Sequence, residues 1–146
     1  MITKEWAMAE PLLTYRGVVH PWHCDHMGHM NVMWYSGKFD EATWNLFAEL
    51  GITADYLRTA SRGMAAVEQH ITYQRELFPG DTVTVHTELL EVRDKVLKAR
   101  HTMRTGSGET AAVMILTAVH LDTGPRRATP MPPAVLKAAR DLLPAT

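Results

Sequence analysis

A chain of 146 residues, 46% hydrophobic and 21% charged, has the size and composition of one globular domain, residues 1–146, which excludes a disordered chain. Its formal net charge of −1 sets up no long-range field, so neither nucleic acid nor an anionic membrane surface is expected as a partner. Cys24 is the one cysteine, which excludes an internal disulfide framework and leads us to expect a reducing compartment, the cytoplasm.

The opening residues MITKEWAMAEPLL lack the uninterrupted apolar run of a signal peptide, and no stretch approaches the roughly 18 apolar residues of a membrane span. Thr14 to His20 (TYRGVVH) is short and β-prone, and Pro21 ends it by removing a backbone donor. PWHCDHMGHMN follows, rich in Pro, Gly, Asn and His, and reads as a loop.

From Val32 the apolar residues Tyr35, Phe39, Ala42, Leu46, Phe47 and Leu50 recur at three- and four-residue spacing. That spacing predicts one buried stripe on a helix running to Leu50, roughly 28 Å long at 1.5 Å per residue. Asn31 is placed to cap its start and Gly51 to stop it.

Strand patterns then cover Met64–Arg75, Thr82–Val92, Lys95–Thr105 and Glu109–Leu121. Val83, Val85, Thr87 and Leu89 alternate with Thr84, His86 and Glu88, the period-two pattern of a strand with one buried face. Phe78-Pro79-Gly80-Asp81, Arg93-Asp94 and Gly106-Ser107-Gly108 separate the runs, and connections this short predict antiparallel pairing between successive strands. After several prolines a short helix is expected near Ala134–Leu143. The order is α+β, with a sheet curled around one long helix.

The densest chemistry is His20, His23, Cys24, Asp25, His26 and His29. It reads as a solvated histidine-rich loop, as a metal site, or as the seat of a reactive carboxylate. No HExxH or paired CxxC spacing supports metal, so no metal or other cofactor is expected. A carboxylate at Asp25, a tight turn at Gly28 and free helix amides after Asn31 form a pair suited to thioester hydrolysis. One group attacks the carbonyl or activates water, and the other receives the oxyanion.

The stretch VHPWHCDHMGHMNVMWYSGKFDEA resembles the hotdog acyl-CoA thioesterases of the hydroxybenzoyl-CoA thioesterase type. The resemblance implies a five-stranded antiparallel sheet curled around the long helix, with Asp25 in the position of the catalytic aspartate. It also implies an oxyanion donor at or near the Val32 amide. His29 and Asn31 are further candidates at the reacting group, as hydrogen-bond donor and substrate-orienting residue, and Gly28, Trp34 and Tyr35 are candidates for the acyl pocket. EVRDKVLKARHTM resembles the segment that holds the phosphates of coenzyme A. Carried over, those residues are Arg93 and Lys95, with Arg126 or Arg127 as a third cation.

Since a second branch of these enzymes carries its acid on the long helix, Glu41 is the runner-up, while Glu68 reads as a sheet-face or dimer contact. An enoyl-CoA hydratase using Asp25 and His29, and a binding domain without catalysis, are the alternatives. The resemblance implies a homodimer or homotetramer with sites between protomers and an acyl-CoA substrate.

Overall fold

In the computed structural model, which describes residues 10–144, the chain runs β1 (Leu12–Val18), α1 (Val32–Glu49), α2 (Ala54–Ala60), β2 (Arg62–Tyr73), β3 (Thr82–Val92), β4 (Val96–Thr105), β5 (Thr110–Asp122), β6 (Arg127–Ala128) and α3 (Pro133–Asp141). A 3-10 turn at Pro21–His23 opens the loop before α1. The residues behind the leader reading lie partly outside the described ones.

The six strands form one antiparallel sheet in the order β1-β3-β4-β5-β2, with β6 paired to the end of β5. It wraps α1, whose buried stripe is the predicted one. Tyr35, Phe39, Ala42, Leu46, Phe47 and Leu50 all face the sheet's inner positions, among them Val85, Leu89, Leu97, Met103, Met114 and Leu116. Burial of each large apolar side chain contributes about 1.5–3 kcal/mol, which is why the sheet curls around the helix. Asn31 caps α1 through a 2.9 Å bond from the Met33 amide to Oδ1. Gly51, at φ +96°, takes the left-handed conformation that ends the helix.

The curled sheet around one long helix agrees with the expected fold, with three corrections. The sheet gains the two-residue β6, α2 forms between α1 and β2, and β2 does not pair with β3. Instead β2 pairs with β5 and β3 with β1. The eight residues Gln74 to Asp81 cross from one edge of the sheet toward the other. That connection suffices because three strand spacings are only about 14 Å. Helix α2, seven residues long, is too short to show a helical period in the sequence. Its signal was local: Thr53 Oγ1 caps the Tyr56 amide at 3.1 Å.

The candidate site residues fall at two opposite ends of the sheet. At one lie the loop before α1, the end of β2 and the start of β5, where the Gln74 and Arg75 amides donate to Ala111 O. The Arg93–Lys95 turn and β6 lie at the other, where the His120 amide bonds Lys95 O. About ten residues of β5 separate them, roughly 30 Å at the rise of a strand.

Candidate active site

The loop Cys24–Met30 is a small hairpin. Cys24 and Met30 form an isolated antiparallel bridge, the Asp25 amide bonds His29 O at 3.2 Å, and the Gly28 amide closes a turn onto Asp25 O at 3.0 Å. Gly28 sits at φ +86°, a conformation that costs a residue with a Cβ. The Met30 amide then bonds Leu77 O at 2.7 Å, which pins the loop to the segment after β2.

Within this hairpin the Asp25 carboxylate is fully engaged from one side. Oδ1 accepts the Met27 amide at 2.8 Å and Oδ2 accepts Asn31 Nδ2 at 2.7 Å. The Asn31 bond first, and the Met27 bond second, hold its pKa below the ordinary carboxylate value. Asp25 is therefore ionised at neutral pH, with lone pairs left on both oxygens.

A cleft of about 250 Å³ opens at the end of the loop, lined by His29, Met30, Val32 and Tyr35 and by Tyr73 to Glu76. Asp25 stands outside this lining. At the start of α1, the Met33 amide is taken by Asn31 Oδ1 and the Trp34 amide by Asn31 O. The Val32 amide, at the cleft, has no partner among the described residues and is free to donate.

Tyr35 is buried in the cleft wall and donates from Oη to Arg75 O at 2.7 Å. Burial first, with Glu76 adding to it, pushes its pKa up to about 12, so it stays a neutral donor. Tyr73 meets it edge-on at 5.2 Å between centroids. His29 Nε2 lies 3.6 Å from Glu76 Oε1.

The other candidates fall elsewhere. Trp34, one residue before Tyr35, lines a different cleft, where its ring lies 4.4 Å from that of His23. Glu41 is exposed in that same cleft, away from the His29 cleft. Arg93 is exposed with Glu91 3.5 Å away, and Lys95, Arg126 and Arg127 are exposed at the same far end of the sheet. Glu68 lies exposed on β2. The loop histidines diverge, with His20 stacked on Trp22 and His29 turned toward Phe78. Sequence reasoning missed Tyr73 and Glu76 as cleft residues, because only the crossing after β2 brings them to the loop.

Residues 19–139 match the thioesterase-like superfamily. Over 128 residues, 88% of this chain, the sequence is 35% identical to an L-carnitine dehydrogenase/betainyl-CoA thioesterase of Agrobacterium fabrum, of which that match spans 26%. A betainyl-CoA thioesterase of Pseudomonas aeruginosa is 32% identical over 124 residues, 83% of this chain and 77% of that protein. Among solved structures, a Staphylococcus aureus protein in complex with CoA superposes with a TM-score of 0.86 at 20% identity, covering 93% of this chain and 89% of that one.

Proposed function

The chain belongs to the thioesterase-like superfamily, and we propose that it hydrolyses an acyl-CoA thioester to a carboxylic acid and free coenzyme A. The observation that carries this reading is the Val32 amide, without a partner among the described residues, at a cleft whose adjoining loop holds an ionised aspartate. Asp25 supplies the carboxylate and the Val32 amide receives the negative charge that develops on the carbonyl oxygen. The C–S bond then breaks, and the thiolate leaves to be protonated as coenzyme A. Where Asp25 itself has attacked, water cleaves the acyl–Asp25 anhydride to the carboxylic acid and restores the carboxylate, and where Asp25 has activated water the acid forms directly. The Asn31 and Met27 bonds keep Asp25 ionised, as both direct attack and activation of water require. Asn31 and His29 orient the reacting groups, and Gly28 keeps the loop tight.

The working unit is a homodimer, alone or within a tetramer. β2 is a twelve-residue edge strand whose middle residues, including Val67 and Glu68, are exposed. Such an edge calls for a partner. Antiparallel pairing of two β2 strands sets the loop end of one protomer beside the far end of its partner. It thereby brings Arg93, Lys95, Arg126 and Arg127 of one copy toward the Asp25 loop of the other. In this way cations roughly 30 Å from the loop along their own sheet reach the phosphates of the same substrate.

Both curated relatives carry betainyl-CoA in their names, and the cleft offers two tyrosine rings and the Glu76 carboxylate. Aromatic faces beside an acid suit a quaternary ammonium, so betainyl-CoA is the proposed substrate. The hydratase and binding-only alternatives are not favoured. The experiment is release of free thiol from betainyl-CoA, from neutral acyl-CoAs of similar size and from aromatic ones. Betainyl-CoA should be preferred in kcat/KM by tenfold or more over its neutral counterpart. Absence of thiol release from every thioester would overturn the activity, and preference for a neutral acyl group would overturn the substrate.

A further inference from the structure

On the other side of α1 from the thioester cleft lies the cleft of about 400 Å³ that holds Trp34, bounded by the end of β1 and the 3-10 turn. Lys38 reaches into it from the helix stripe and is 3% exposed. Its Nζ donates to Tyr15 Oη at 2.8 Å and toward Val18 O at 3.4 Å, and no carboxylate stands within 4.0 Å of it among the described residues. A buried ammonium without a counter-charge is costly.

The geometry around it is built rather than incidental. Tyr15 folds back across Gly17 so closely that a side chain at that position would collide with the hydroxyl. Its ring lies beneath Lys38 Nζ at 5.1 Å from the centroid. Because Tyr15 Oη accepts from the ammonium, its own hydrogen remains to be donated. His23, 7% exposed, accepts the His20 amide at Nδ1 over 3.0 Å, so the neutral ring carries its proton on Nε2. Burial first, then the charges of Lys38 and His20, keep His23 neutral. Only Nδ1 of His23 takes part in a hydrogen bond among the described residues, which leaves the Nε2 proton for the cleft.

We propose that this cleft is a carboxylate-binding site, separate from the thioester cleft, in which Lys38 provides the charge and Tyr15 and His23 provide neutral donors. One cation and two neutral donors match one negative charge spread over two oxygens. The Trp34 and His23 rings, 4.4 Å apart, wall the cleft with flat surfaces that suit an aromatic or unsaturated acid. Glu41 at the cleft, exposed and three residues from Lys38, opposes more highly charged anions such as phosphate. The inference stands on this cleft alone and is independent of the thioesterase reading.

The test uses the full chain and benzoate as probe, followed by the Trp34 indole and His23 ring resonances in NMR. Benzoate should shift both saturably, and Lys38→Met should weaken binding about ten- to hundredfold, the range of a charged hydrogen bond. Tyr15→Phe removes only the hydroxyl and should weaken binding several-fold, which keeps the test open if Lys38→Met does not fold. Asp25→Asn should leave the affinity unchanged, since an acid bound in the thioester cleft would respond to it. The proposal is overturned by an absence of saturable shifts, by shifts undiminished in both Lys38→Met and Tyr15→Phe, or by a changed affinity, in either direction, in Asp25→Asn.

Discussion

Asn31 donates a 2.7 Å hydrogen bond to the Asp25 carboxylate while its own amide oxygen caps α1 at Met33, so one side chain ties the loop acid to the helix start. The Val32 amide lies between Asn31 and Met33, so the relative placement of the proposed reactive carboxylate and the proposed oxyanion donor depends on this tie.

Replacing Asp25 by Asn keeps the size and an acceptor for the Met27 amide but removes the charge. Turnover should fall at least about 10²–10⁴-fold with little change in KM, while the melting temperature stays close to that of the parent. Near-normal kcat would sink the mechanism. In the parent enzyme the acid limb that belongs to Asp25 should have its midpoint below the ordinary carboxylate value of 3.8, because the Asn31 and Met27 bonds favour the ionised form. A limb at higher pH belongs to another group.

Asn31→Ala and Asn31→Asp separate capping from catalysis. Alanine loses the cap, at a cost of about 1 kcal/mol, and loses the tie to Asp25. Aspartate keeps a cap but sets a second carboxylate against the first, which raises the Asp25 pKa. The Asn31→Asp protein should therefore melt near the parent while the acid limb of its kcat/KM profile moves to higher pH. An unmoved limb would remove Asp25 from the rate law.

His101 should dominate the acid sensitivity of the fold. It is fully buried between Thr43 and Thr87, at 2.9 and 2.6 Å, and burial lowers its pKa from 6.5 to about 4. Above pH 6.5 it is neutral in both folded and unfolded chains and contributes no pH dependence. Between pH 6.5 and about 4 the unfolded chain takes up a proton that the folded chain resists. Stability therefore falls as pH falls, by up to about 3 kcal/mol. Urea titrations of the parent and His101→Gln at pH 7 and pH 4.5 would show this as a flatter pH dependence in the variant, and parallel slopes would refute it.

The β2 edge is tested by Val67→Arg. Val67 is 60% exposed in the middle of the strand, and a cation at two facing positions repels. Sedimentation should show a shift to monomer, accompanied by loss of thiol release. A variant that is monomeric and fully active would reject the shared site.

Arg93→Ala and Lys95→Ala should raise KM for coenzyme A thioesters by about tenfold or more each, the range of a charged bond to phosphate. Truncated pantetheine thioesters, which lack the nucleotide phosphates, should be nearly unaffected. Equal losses with both substrates would mark the two residues as structural.

The helix stripe from Tyr35 to Leu50, its cap at Asn31 and its stop at Gly51 were legible in the sequence, because period and capping are local properties of a chain. So was the alternation of β3, and so were the residue types of the Asp25 loop. What the sequence did not carry was adjacency. That β2 pairs with β5 rather than β3, and that Tyr73 and Glu76 arrive beside Val32, follow from the path of residues 74–81 across the sheet. The separation of Trp34 from Tyr35 into two clefts is likewise tertiary, because the packing on either side of α1 decides which face each neighbour shares. Lys38 shows the limit most plainly. It stands between Tyr35 and Ala42 on the buried stripe, where a lysine reads as a break in the pattern, and only the fold of Tyr15 over Gly17 supplies its partner.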